Sequence, residues 1–171
     1  MKIEKKDNLF VDIKQLIEQS KINAAVGVNA ELSMLYWNIG KRISEDVLKN
    51  NRAEYGKQIV VSLARQLQIN YGEGWSEKQL RQCMQFATAF PEKEIVYTLC
   101  IQLSWSHIRL IMFMEDPLKR EFYIEMCKIE KWSFRVFRER IQSMLYERTA
   151  ISKKPDETIK QELELELGIR N

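Results

Sequence analysis

Trp75-Ser76-Glu77-Lys78-Gln79-Leu80-Arg81-Gln82-Cys83-Met84-Gln85-Phe86-Ala87-Thr88-Ala89-Phe90-Pro91 carries start and stop signals for one complete helix. Ser76 suits an N-cap, and Gln79 sits three residues on, where a capping box places its second member. Trp75 and Leu80 occupy the N′ and N4 positions of a hydrophobic staple. Pro91 ends the helix and drives Phe90 out of the α region. Leu80, Cys83, Met84, Ala87 and Phe90 then share an inward face. Lys78, Arg81, Gln82 and Gln85 share the outward face, which reads as free of carboxylates. Arg and Gln are suited to bidentate contacts with base edges in the major groove.

Upstream, Tyr55 to Ile69 has helical periodicity, with Ile59, Val60, Leu63 and Leu67 inward and Lys57, Arg65, Gln66 and Gln68 outward. Asn70-Tyr71-Gly72-Glu73-Gly74 breaks it. A helix, a glycine turn and a second helix with a polar, partly basic face outline a helix-turn-helix. The same outline fits an ordinary helical hairpin with a solvated outer face.

The N-terminal region, Asn8 to about Asn50, reads as helical almost throughout, with Gly27 a candidate kink. Leu32, Leu35, Tyr36, Ile39, Ile43 and Val47 form a stripe that Met34 and Trp37 widen. That breadth predicts a helix buried on several sides, in the core or against a second copy. Lys41 and Arg42 are expected to reach solvent. After Pro91, the β-branched run Ile95-Val96-Tyr97-Thr98-Leu99-Cys100-Ile101 is ambiguous between a strand (such as the wing of a winged helix), a buried helical turn and an irregular connection. The irregular connection is the expectation. Trp105-Ser106-His107 and Trp132-Ser133-Phe134 repeat the Trp-Ser helix start, and Asp116-Pro117 is a cap followed by Pro at N1. The helix from Ser133 is expected to run to about Arg148.

Composition limits the function classes. The 171 residues are 45% hydrophobic and 30% charged, with 6 Gly and 3 Pro, as in a globular protein of long helices. No apolar run approaches a membrane span, and the charged start lacks a signal-peptide core, so the expected compartment is the cytoplasm. The three cysteines, Cys83, Cys100 and Cys127, have neither disulfide nor zinc spacing and read as small core residues. His107 is the sole histidine, and its place at a helix start suits structure better than catalysis. No phosphate-binding glycine loop, metal cluster or carboxylate pair is apparent, so no cofactor, metal, membrane or small-molecule substrate is expected. Lys131 to Lys154 holds seven basic residues against Glu139 and Glu147, a local +5 that includes Arg135 and Arg138. It is either a phosphate-facing patch or a solvated face.

Leu35-Tyr36-Trp37-Asn38-Ile39-Gly40-Lys41-Arg42-Ile43 resembles the LYWxIGxxI signature of the YhcG-like family of predicted PD-(D/E)XK nucleases. Four further stretches match in the same order: Ala53-Glu54-Tyr55-Gly56-Lys57, Trp75 to Leu80 followed by Phe90-Pro91, Gln102 to His107, and Leu145-Tyr146-Glu147-Arg148. The family often has Arg-Asn-Leu where this chain has Lys78-Gln79-Leu80. The resemblance covers about residues 10–150 and implies the family's N-terminal helical domain, with a role in bacterial DNA transactions. In the family a restriction-endonuclease-like domain follows. The catalytic carboxylates and Lys of that domain have no counterpart here, so no catalytic residue is assigned and the chain is expected to be non-enzymatic.

The fold class read from the sequence is therefore all-α. A multi-helix domain over 1–152, with a long N-terminal helical region and a helix-turn-helix or winged-helix-like unit, would precede a charged linker or helix at 153–171 that leads toward a nuclease domain. The expected partner is double-stranded DNA, with Lys78, Arg81, Gln82 and Gln85 toward the groove and Lys57, Arg135 and Arg138 on phosphates. The competing expectation is an interaction or dimerisation domain without DNA contact.

Overall fold

A computed structural model describes residues 2–23, 28–50 and 52–151. Among the described residues all regular structure is α-helix, with no strand: α1 Lys2–Asn23, α2 Val28–Asn50, α3 Ala53–Tyr71, α4 Glu77–Ala89, α5 Lys93–Gln102, α6 Trp105–Ile111, α7 Pro117–Glu130, α8 Phe134–Gln142 and α9 Leu145–Ile151. None of these helices is long and apolar enough to cross a membrane. Gly27 and the 153–171 segment lie outside the described residues. Contacts divide the chain into two compact units, Met1–Trp105 and Ser106–Asn171.

The first unit is built around α2, which packs against α1, α3, α4 and α5. One side of α2 sends Leu35, Ile39 and Ile43 into a core with Leu9, Ile13 and Ile17 of α1, Ile59, Leu63 and Leu67 of α3, and Leu80 and Cys83 of α4. Trp37 is buried as well, so much of the apolar width seen in the sequence is covered within the chain. Met34, Tyr36 and Val47 are half-buried, and Leu32 is exposed. The closest approach is at Gly40, where a Cβ would lie 1.8 Å from the carbonyl oxygen of Cys83. Only a residue without a side chain lets the α2 and α4 backbones meet there.

Both ends of α4 form as their residues dictate. Ser76 Oγ accepts from the Gln79 backbone N–H at 3.1 Å, while the Gln79 side-chain Nε2 is buried without a partner. At the other end Phe90 takes φ −130° and ψ 84°, outside the α region, as a residue before proline should. The Trp37 indole N–H donates to its carbonyl at 2.7 Å, satisfying an acceptor that the helix leaves open. Leu80, Cys83, Ala87 and Phe90 are buried as the periodicity requires. Met84 is only half-buried, and Phe86 is fully enclosed against Phe90 and Trp105.

Polar pairs stitch α1, α2 and α3 together at one end. Arg42 does not reach out to solvent: its Nη2 lies 2.7 Å from Asp12, and its Nη1 lies 3.6 Å from Asp46. Tyr55 donates to Asp46 at 2.9 Å. Asp46 is 8% exposed, and a carboxylate so buried is stable only with such partners. Lys41 is exposed, its ammonium 5.0 Å from the centre of the Trp37 ring.

The 92–103 segment is a helix, not an irregular connection or a wing. Val96, Leu99, Cys100 and Leu103 are buried, and their i, i+3, i+4, i+7 spacing makes one helical stripe against α2. Packing of that stripe overrides the strand preference of the β-branched residues.

In the second unit Asp116 caps α7, its carboxylate accepting from Leu118 N–H at 3.0 Å, with Pro117 at N1. Ser133 caps α8 by accepting from Val136 N–H at 3.3 Å. The Trp132 and Phe137 rings lie 6.4 Å apart, so this staple closes as the sequence indicates. The Trp105 start behaves differently. Helix α6 begins at Trp105 itself, leaving Ser106 inside the helix and the indole packed on Tyr36 at 4.6 Å. The long helix expected from Ser133 to Arg148 is interrupted at Ser143-Met144, where Met144 has φ 57°. Arg148 Nε donates to the Ser143 carbonyl at 3.1 Å, satisfying an acceptor released at the break. The Lys119 ammonium hydrogen-bonds Glu147 and holds its carboxyl below the usual range.

Two outcomes follow from this packing. Gly40→Ala should cost about 3 kcal/mol by denaturant melting, because backbone rather than a flexible side chain meets the added carbon. Gly74→Ala, with nothing within 4 Å of a Cβ, should stay within about 0.5 kcal/mol. Burial and hydrogen bonds to Asp46 and Glu18 push the Tyr55 and Tyr71 phenols from 10.0 up to about 12. The neutral phenols are thus favoured in the folded state. Their contribution should be complete below pH 10 and fall away between about 10 and 12, and Tyr55→Phe should flatten the alkaline fall in the denaturation midpoint.

Candidate nucleic-acid interface

Two matching stripes face each other where α3 passes α4. Ala53, Gly56, Lys57 and Val60 lie at i, i+3, i+4 and i+7 on α3, and Arg81, Met84, Gln85 and Thr88 repeat that spacing on α4. Together they line one open groove. Val60 is buried and Met84 half-buried, while Lys57, Arg81 and Thr88 are exposed at the sides. Thr88 spends its hydroxyl on the Met84 carbonyl at 2.9 Å.

The groove depends on the turn that joins the helices. Gly72 has φ 102°, a backbone that side-chain-bearing residues rarely adopt, and its N–H closes onto the Gln68 carbonyl at 2.9 Å. The Trp75 ring then meets Tyr36 of α2 edge-on at 6.0 Å. Helix α4 packs more extensively on α2 than on α3, so its orientation comes chiefly from the Gly40 contact.

Of the seven residues singled out from the sequence, Lys57, Arg81 and Gln85 come together in this groove. Lys78, exposed, and Gln82, half-buried, share α4 but are not among its lining residues. Arg135 and Arg138 are exposed on α8 of the second unit, where Arg135 pairs with Glu139 at 3.4 Å. Other members of the basic run also have intramolecular roles: the Arg140 guanidinium lies 5.6 Å from the Trp132 ring centre, and Arg148 binds the Ser143 carbonyl.

One reading of α4 needs correction. Its outer face is not free of carboxylates, because Glu77 Oε2 lies 3.5 Å from Arg81 Nη2. The signal was present as an i,i+4 Glu–Arg pair, the orientation that helices favour. Ala53 and Gly56, which the sequence marked only through the family resemblance, and Thr88, which it did not mark for a site, line the groove because α3 and α4 run side by side here.

Other reactive groups have structural settings. His107 stacks on Phe137 at 5.7 Å, and its Nε2 lies 2.8 Å from the Trp132 carbonyl, so that nitrogen carries the proton and donates. All three thiols are free and buried, and burial pushes Cys100 and Cys127 up to about 12 and Cys83 higher still. Among the described residues no three His, Cys, Asp or Glu side chains are grouped to hold a metal ion.

Residues 12–148 match the DUF1016 N-terminal domain family. The chain belongs to that family. The Escherichia coli (strain K12) protein named "Putative nuclease YhcG" is 27% identical over 173 residues, an alignment covering 82% of this chain and 45% of that protein. The chain thus spans less than half the length of that relative. No solved structure matches it. In this DUF1016 N-terminal domain the Leu35–Ile43 signature serves the fold: Trp37 caps α4, Gly40 admits its backbone, and Leu35, Ile39 and Ile43 fill the core.

Adjacent residues of α4 should separate stability from surface chemistry. Leu80 is fully buried, and Leu80→Ala should cost about 2–5 kcal/mol through the cavity it leaves. The Arg81 side chain is 53% exposed, and Arg81→Glu should shift stability by only about 0.5 kcal/mol in the same melting experiment.

Proposed function

We propose that this DUF1016 N-terminal domain is a non-catalytic, duplex-DNA-binding module that positions a nuclease domain of the PD-(D/E)XK class. The observation that carries the reading is the α3–α4 groove, where Lys57 and Arg81 stand beside Gln85. In this reading α3 and α4 act as a helix-turn-helix. Lys78, Arg81, Gln82 and Gln85 approach base edges in the major groove, while Lys57 and, on the second unit, Arg135 and Arg138 neutralise phosphates. In this reading bond cleavage belongs to a separate nuclease domain, in keeping with the Escherichia coli relative's being named a putative nuclease. The working compartment is the cytoplasm, where bacterial DNA is found. The tail at 153–171 serves as the linker to the nuclease.

A second reading, a protein-interaction or dimerisation domain, is favoured by the outer face of α5. Tyr97 and Ile101, one turn apart on that short helix, are 57% and 60% exposed. Neighbouring exposed apolar side chains are commoner at contact surfaces than on free ones.

Titration of a fluorescent duplex at about 50 and 200 mM salt tests the first reading. Binding at micromolar protein should weaken about tenfold or more between the two conditions, and Arg81→Glu should abolish it. Absence of salt-dependent binding overturns DNA recognition. A concentration-dependent dimer by light scattering, lost on Tyr97→Glu, would then assign the domain to the second reading.

A further inference from the structure

We propose that Glu77 sets the specificity of the α4 face by competing with DNA phosphate for the Arg81 guanidinium. The inference rests on the duplex-binding reading above and adds a residue that the reading does not use. Glu77 and Arg81 lie one turn apart at 3.5 Å, with side chains 47% and 53% exposed. That distance exceeds the roughly 2.7–2.9 Å of a tight charged hydrogen bond, so the guanidinium is held loosely and can be exchanged. In the first turn of α4 the carboxylate is also attracted by the helix N-terminus, which favours its place beside the Arg81 guanidinium.

The consequence for DNA depends on what the helix meets. A phosphate approaching Arg81 must displace Glu77 and then stay close to an unpaired carboxylate, which repels it. Every non-specific complex carries this penalty. In a matched site the carboxylate can instead accept a hydrogen bond from the exocyclic amino group of a cytosine while Arg81 takes an adjacent guanine. Glu77 thus lowers sequence-independent affinity and leaves room for a specific one, as repulsive elements do in selective interfaces.

The experiment is a double-mutant cycle on a mixed-sequence duplex at low salt, using the wild-type chain, Glu77→Gln, Arg81→Gln and the double variant. Glu77→Gln should bind about threefold tighter, the scale of an exposed ion pair. That gain should vanish when Arg81 is also Gln. Glu77→Ala, a second variant lacking the carboxylate, should show the same gain, and melting curves verify that each variant is folded. If the wild-type chain does not bind duplex, the reading under Proposed function fails. If it binds but Glu77→Gln is unchanged or weaker, that reading stands and the role of Glu77 is overturned. A gain that persists in the Arg81→Gln background also overturns it, because Glu77 would then act only through general charge.

Discussion

The contact between Gly40 and the Cys83 carbonyl governs the first unit. With a Cβ position only 1.8 Å from that oxygen, the two helices meet backbone to backbone, and no other residue fits. Approach this close places Trp37 where its indole reaches the Phe90 carbonyl, so one helix closes the open end of another. It also presses Cys83 and Leu80 into the core shared by α1, α2 and α3. The capped helix α4 is therefore a rigid element, held at its start by Ser76, at its middle by Gly40 and at its end by Trp37.

Rigidity on the inner face gives the outer face its meaning. A helix whose buried stripe is fully engaged cannot rotate, so Arg81, Gln85 and Thr88 are presented in a fixed register toward Lys57. The Glu77–Arg81 pair tempers this basic surface. The second unit treats its own cations in a similar way, since Arg135 pairs with Glu139 and Arg140 lies over Trp132. A run of positive residues in sequence is thus a weaker surface charge than its count suggests.

Much of this protein was decided by local sequence. Capping residues and proline act within a few positions, so Ser76, Pro91, Asp116, Pro117 and Ser133 mark helix ends that the structure reproduces. Helical periodicity located most buried side chains of α2, α3 and α4, and the family resemblance held. Only tertiary structure decided the rest. The 93–102 segment became a helix because its Val96, Leu99 and Cys100 stripe found α2 to pack against, a contact that strand propensity cannot register. The break at Met144 carries no Gly or Pro to announce it and rests on hydrogen bonds such as Arg148 to Ser143. Arg42 turned inward because Asp12 and Asp46 converge on it from two helices. The groove at Lys57 and Arg81 joins residues 24 positions apart in sequence, through a packing that α2 imposes. Local chemistry fixes where a helix begins and which face is apolar; which faces meet depends on distant residues that pack only once the chain has folded.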